Sequence, residues 1–272
     1  MTESFLELLE KSLPTKTHPR YQAWKSYGLK AVERGRAVLE EVKQHTDIRG
    51  RNILDVGCGT GGISVAFAEE GGNVVGVDSG STNLLNIKIA SARAKEEKTD
   101  IAFICGDAQR MPFRETTFNV ILCNDVIEHI AEPRELAKEV SRALKPHGIL
   151  YLTAPNKFSL PNIYKDSHYG LFGVAILPRP LAKLYVTKIR KMEKRYSVGH
   201  IPTYTPLMKM LEKNGIRLNL IRNKIDELLL NPTEIEDSSF RKIGILLKRL
   251  RLSKKSPAAC FLNACSLPIS PS

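Results

Sequence analysis

Apolar positions fall into short solid runs separated by amphipathic stretches. Asn52–Val56, Val74–Val77, Ile101–Ile104, Phe118–Cys123 and Ile149–Thr153 are nearly continuous apolar runs. Their length and β-branched content predict strands buried on both faces, as in a parallel sheet. Between them lie helical patterns. Ile63–Glu70 is stopped by Gly71-Gly72; Ser81–Lys98 is capped by Ser81 or Thr82 and carries Leu84, Leu85, Ile87 and Ala90 toward the sheet; Pro133–Leu144 follows the fourth run. Alternating strands and helices predict an α/β fold with right-handed crossovers.

The flanks are patterned differently. Phe5, Leu6, Leu8 and Leu9 predict a short amphipathic helix ending before Pro14. A turn follows at His18–Tyr21, then a helix from Trp24 to about Gln44. Tyr21 and Trp24 are expected to pack on the core, with a pocket wall as the alternative. After the fifth run, 157–197 looks like an insertion with a basic helix from about Leu181. Thr205 is expected to cap a helix over Pro206–Lys213 that stops at Asn214-Gly215. Ile216–Ile225 predicts a sixth strand, Ser238–Leu252 an amphipathic helix and Ala258–Ile269 a seventh strand.

Composition narrows the class. The 272 residues carry 41 Lys plus Arg against 29 Asp plus Glu, a formal net charge of +12. Such an excess points to an anionic partner or simply to solubility. Five Cys lie scattered without C-x-x-C spacing, which fits a reducing, cytoplasmic compartment. No run approaches about 18 apolar residues, so no spanning helix is expected. The acidic start lacks the basic region of a signal peptide.

The chemistry concentrates between Asp55 and Asp78. Gly57, Gly59, Gly61 and Gly62 follow the first strand and open a helix. Glycines let a ligand lie against bare backbone, and the helix offers free N–H groups. Asp78, ending the second strand, is placed to accept two hydrogen bonds from a ribose diol. Gly57, Gly59 and Gly62 also satisfy the dinucleotide pattern G-x-G-x-x-G, which alone is a weak signal. Asp55 argues against a pyrophosphate there and suits a cationic amino-acid end.

Asp55-Val-Gly-Cys-Gly-Thr-Gly resembles the first motif of class I S-adenosylmethionine-dependent methyltransferases, and Asp78 their second acid. Cys105-Gly106-Asp107-Ala108, Met111-Pro112-Phe113 and Lys145-Pro146-His147-Gly148 follow in the family's order. Asn124-Asp125-Val126-Ile127-Glu128-His129 resembles the Asp-Val-x-Glu-His signature of the branch that includes ubiquinone- and menaquinone-biosynthesis methyltransferases. Phe118-Asn119 departs from the branch's Phe-Asp. The resemblance covers about Arg49–Asn156. It implies S-adenosyl-L-methionine as cofactor, held by Asp55, Gly57, Cys58, Gly59, Gly61, Asp78, Ser79, Asp107, Ala108, Asn124 and Asp125. Asp107 would take the adenine amino group.

His129, with His168 and Tyr169 in the insertion, are the candidate catalytic residues. Asp166 and His168 are too sparse to claim a metal site, and methyl transfer asks for no metal. The expected fold is one Rossmann-like α/β domain with a seven-stranded, mostly parallel sheet of order 3-2-1-4-5-7-6. Within it, 1–48 is an N-terminal helical segment, 49–156 the cofactor core, 157–197 an acceptor-side insertion and 198–272 the C-terminal part of the sheet. The expected acceptor is a small molecule or lipid-linked, methylated on oxygen, nitrogen or carbon. Peripheral contact with an anionic membrane is a further expectation, from the basic stretches Arg179–Arg195 and Arg241–Lys255; nucleic acid is not expected. The alternatives are a non-catalytic binding protein of the same fold and a nicotinamide-dependent oxidoreductase.

Overall fold

A computed structural model describes residues 3–79, 84–155, most of 157–217 and the short runs 219–221 and 263–265. The expected helix Ser238–Leu252 and the caps Ser81 and Thr82 lie outside them. Seven strands form one sheet: β1 (Asn52–Val56), β2 (Asn73–Asp78), β3 (Ala102–Cys105), β4 (Phe118–Asn124), β5 (Leu144–Thr153), β6 (Asn219–Ile221) and β7 (Asn263–Cys265). Their order is β3-β2-β1-β4-β5-β7-β6, as expected. The first five pair in parallel, with Asp55 opposite Gly76 and Leu122. β7 is antiparallel to both β5 and β6.

Alternation along each strand divides the core between two faces. Leu54, Val56, Ile121, Cys123, Leu150 and Leu152 meet Leu136 and Val140 of helix α6 (Pro133–Ala143) and Leu207 and Leu211 of α9 (Tyr204–Glu212). Ile53, Val120, Leu122 and Tyr151 meet Leu39 and Val42 of α3 (Ala31–Lys43) and Phe67 of α4 (Gly62–Glu69). The strand tips after β1, β2 and β4 therefore rise from a sheet covered on both sides.

Three details differ from the sequence expectation. The N-terminal helix is broken: α2 (Tyr21–Leu29) ends before α3 starts at Ala31. Gly28 lies at the break, where a Cβ would come within 2.7 Å of Leu9 in α1 (Phe5–Ser12). Second, β5 begins at Leu144 rather than Ile149, because Leu144 pairs with Phe118 before a bulge carries the register on to Ile149. Third, α9 starts at Tyr204 with Thr203 at the cap position, so Thr205 is in its first turn. The unusual Asn119 has a structural use. Its Oδ1 accepts the Asn52 backbone N–H at 3.0 Å and the Lys145 ammonium at 3.2 Å.

Both flanks fold over the strand tips. Arg93 of α5 (Leu85–Glu96) is buried and donates to Gly28 O and Thr60 O, tying α2 to the glycine turn. The insertion has α7 (Leu160–Tyr164), α8 (Arg179–Leu184) and a π-helical turn at Tyr185–Ile189. Tyr169, Leu171, Val174, Val186 and Val198 give it a small core of its own.

Candidate active site

The glycine turn is built by three different devices. Gly57 and Cys58 both donate their N–H to Val77 O, at 2.7 and 3.1 Å, and Gly61 N–H closes back on Cys58 O. Gly59 has φ +51, and a Cβ there would meet only Gly57 O, at 3.9 Å, so the space above it is open. Gly62 is different. A Cβ on it would lie 2.4 Å from Ala31, so this glycine serves the close crossing of α3 and α4 rather than a ligand.

Asp78 Oδ2 accepts the Gly59 N–H at 3.0 Å, which fixes the turn over the tip of β2. Ser79 O takes the Cys105 Sγ–H at 3.7 Å, and Gly106 N–H donates to Asp78 O, so the tips of β2 and β3 are joined. Asp107 is exposed beside them with Ala108 next to it. Its Oδ1 accepts from the backbone and side chain of Gln109, which hold its carboxyl below the usual range. Asp55 is only 1 % exposed. It accepts Ser64 Oγ–H at 2.6 Å and acts from behind the turn. Burial raises its carboxyl to about 7, against the lowering pull of the Ser64 bond. Burial likewise pushes the Cys58 thiol up, so it is a packed, inert group.

At the tip of β4 the backbone of Asp125 is left-handed, φ +54, a conformation that Asp tolerates better than most side chains. Its N–H donates to Thr153 Oγ1 and Thr153 O. Thr153 Oγ1 lies 2.9 Å from Asn124 Oδ1 and 3.0 Å from Asp125 Oδ1. The motif's Asn, its Asp and a threonine from β5 thus lock together. Burial raises the Asp125 carboxyl.

Beyond Asp125 lies a cavity of 1330 Å³. Its walls come from three separated stretches: Trp24 and Tyr27 of the N-terminal helices, Glu128 and His129 after β4, and His168, Tyr169 and Met192 of the insertion. Trp24 therefore forms a pocket wall, stacked on His18 at 5.1 Å. Tyr21 is buried and donates to Glu10 at 2.5 Å, so it packs as expected. Arg20 donates to His168 O, and His18 Nε2 lies 2.9 Å from Met192 O, which clasps the insertion to the N-terminal turn.

The three candidate catalytic residues are brought together, in unequal settings. His129 and His168 meet edge to face at 5.2 Å. Tyr169 is buried against Tyr196, ring centroids 5.5 Å apart. Asp166 accepts the backbone N–H of His168, Tyr169 and Leu171, which fixes the loop that carries them. Glu128, seen in the sequence only as part of a signature, is the buried centre of the group. Its Oε1 is 3.7 Å from His168 Nε2 and 4.0 Å from His129 Nε2. Burial and the Asp125 charge raise its carboxyl to about 8. Burial and the neighbouring His129 lower the His168 imidazole to about 4. Ligand-type atoms of Glu128, His129 and His168 all lie within 4.8 Å of one another, a donor set that a divalent ion also fits.

An open glycine cradle, an acid at the tip of β2 and acids rather than cations at the tips of β1 and β4 suit a nucleoside bearing a positive charge. They disfavour a pyrophosphate, and with it a nicotinamide dinucleotide. With the sheet order and its antiparallel last strand, these features are similar to those of class I S-adenosylmethionine-dependent methyltransferases.

Residues 54–152 match the family model described as a methyltransferase domain. A ubiquinone biosynthesis O-methyltransferase of Idiomarina loihiensis is 34% identical over 118 residues, 43% of this chain and 47% of that protein. One from Coxiella burnetii is 31% identical over 119 residues, 44% of this chain and 50% of that protein. The chain thus matches about half the length of these curated relatives. Among solved structures, an S-adenosylmethionine-dependent methyltransferase from Methanosarcina mazei shares the fold. Its TM-score is 0.51 at 21% identity, over 67% of this chain and 89% of that one.

Proposed function

We propose that the protein transfers the methyl group of S-adenosylmethionine to a small-molecule or lipid-linked acceptor. The observation that carries this is a glycine turn tied to the acid at the tip of β2, with Gly57 packed against Val126, next to Asp125 on the wall of a cavity lined by aromatic rings and a buried acid–imidazole group. The methyl of a sulfonium is already activated, so the protein need only align an acceptor for in-line displacement. Asp78 holds the ribose diol and Gly59 gives the backbone its close approach. Ser79, Asp107 and Ala108 border the adenine. Asn124 and Asp125 face the methionine part, with Asp55 supporting the turn through Ser64. His129 and His168 face the acceptor. The matched relatives are named for O-methylation in ubiquinone biosynthesis, so a hydroxyl on a quinone precursor is the first acceptor to test.

Calorimetry with S-adenosylhomocysteine, alongside transfer of labelled methyl to a quinol, tests the proposal. Asp78→Ala is expected to weaken binding by roughly 1.5–3 kcal/mol, the scale of a hydrogen bond to a charged group. Unchanged affinity in a folded variant would remove Asp78 from the site. Tight binding with no transfer to any oxygen, nitrogen or carbon acceptor would favour the non-catalytic alternative.

A peripheral place on an anionic membrane is supported by the insertion. Phe172, Ile176, Leu181, Leu184 and Ile189 are exposed in the stretch that also carries Arg179, Lys183, Lys188 and Arg190. Among the described residues no helix is long and apolar enough to cross a membrane. The second basic stretch, Arg241–Lys255, lies outside them.

A further inference from the structure

Glu128 is a buried carboxyl group short of donors. It sits on the single 3₁₀ turn Ile127–His129 that follows the tip of β4, with its side chain 1 % exposed and lining the cavity. The imidazole nitrogens nearest to Oε1, at 3.7 and 4.0 Å, are beyond hydrogen-bond distance. Oε2 is buried and has no hydrogen-bond partner among the described residues. Buried polar atoms almost always have one. In the ionised group both carboxyl oxygens accept, so the missing group is a donor that enters with whatever fills the cavity.

We infer that Glu128 Oε2 is the atom that recognises the acceptor, by receiving its O–H or N–H. The inference rests on the methyl-transfer reading and deepens it, naming a protic acceptor and the residue that selects it. His168 belongs to the same device. Arg20 holds its backbone carbonyl and Asp166 its N–H, so the insertion sets an imidazole 3.7 Å from Glu128 Oε1. In the transfer itself, Glu128 in its ionised form takes the proton of the acceptor's O–H or N–H. The acceptor's electron pair meanwhile forms the bond to the methyl carbon, and the carbon–sulfur bond breaks with its pair left on sulfur. His129, 42 % exposed at the side chain, gives that proton a route to solvent.

Trp24 is the one tryptophan of the chain and lines the cavity, so its fluorescence reports binding without any turnover. Catechol and its dimethyl ether are the probes, each titrated into the wild type and Glu128→Gln. Catechol is expected to quench Trp24 saturably and to bind at least about tenfold tighter than the ether. Glu128→Gln should lose most of that preference while its affinity for S-adenosylhomocysteine stays within about twofold of the wild type. Equal binding of the two probes by the wild type would overturn the inference. So would a variant that keeps the preference, or one that weakens S-adenosylhomocysteine as much as catechol. A divalent ion that copurifies one-to-one with the wild type and is lost from Glu128→Gln would assign Oε2 to that ion instead, and also overturn it. If the wild type bound no S-adenosylhomocysteine, the methyl-transfer reading would fail, while the two probes would still score Glu128.

Discussion

Two buried carboxyl groups, Asp55 and Glu128, show how the same residue type takes different work from its surroundings. Asp55 has a donor in Ser64 and supports the cofactor turn; Glu128 lacks one on Oε2 and faces a cavity. Asp55 also carries a pH signature. Its carboxyl rises from 3.8 to about 7 on folding, chiefly through burial, so the folded state holds the proton more tightly. The associated stability is fully present below about pH 4 and is lost as pH rises through 7. A shift of this size corresponds to about 4 kcal/mol as an upper scale. Asp55→Asn stays neutral and still accepts the Ser64 Oγ–H. In cofactor-free protein the melting temperature of the variant, relative to the wild type, should therefore climb between pH 5 and pH 8. A difference that stays flat across that range would show that Asp55 is ionised in the folded protein.

Among the elements, the α3–α4 crossing explains the third glycine of the dinucleotide pattern. Gly62 completes the dinucleotide pattern, yet the helix packed against it is α3, from the N-terminal segment. Gly62→Ala would push a methyl into Ala31 and its backbone. Overpacking of this kind costs about 1–3 kcal/mol, and each kcal/mol lowers Tm by about 2–4 °C at this size. Differential scanning calorimetry should show that loss. Gly59→Val should abolish S-adenosylhomocysteine binding, because its side chain fills the open cradle, and at φ +51 it also strains the backbone. If Gly62→Ala melted with the wild type, the close crossing would be wrong. The same N-terminal segment supplies Trp24, Arg20 and His18 to the cavity, so it belongs to the site rather than to its surroundings.

At the scale of the whole molecule, the insertion that lines the cavity with His168, Tyr169 and Met192 also carries exposed apolar residues. The net charge of +12 gives the chain a general attraction to anionic surfaces. Each Lys or Arg near such a surface is worth about 1 kcal/mol and is screened by salt. Cosedimentation with anionic vesicles at low salt should recover the protein, with less recovered at high salt or with neutral vesicles. Phe172→Asp combined with Ile189→Asp should reduce the salt-resistant part. Equal recovery in the supernatant under every condition would sink the membrane reading and leave the charge to an acidic substrate or to solubility.

The strands, the glycine turn and the acids at the strand tips were legible in the chain, because they are local, whereas the sheet order followed only from the resemblance to a known family. Apolar runs, turn glycines and a strand-ending Asp each sit within a few residues of what they determine. Asn119 was visible as a departure, but its partners Asn52 and Lys145 are supplied by neighbouring strands. The cavity was not legible. Trp24, Glu128 and His168 are separated along the chain by whole elements, and no periodicity joins them. Only the fold of the N-terminal helices and the insertion over the tips of β4 and β5 brought them together. That closure also buried Tyr169 and left the second oxygen of Glu128 without a partner among the described residues, because burial and hydrogen-bond supply are properties of packing.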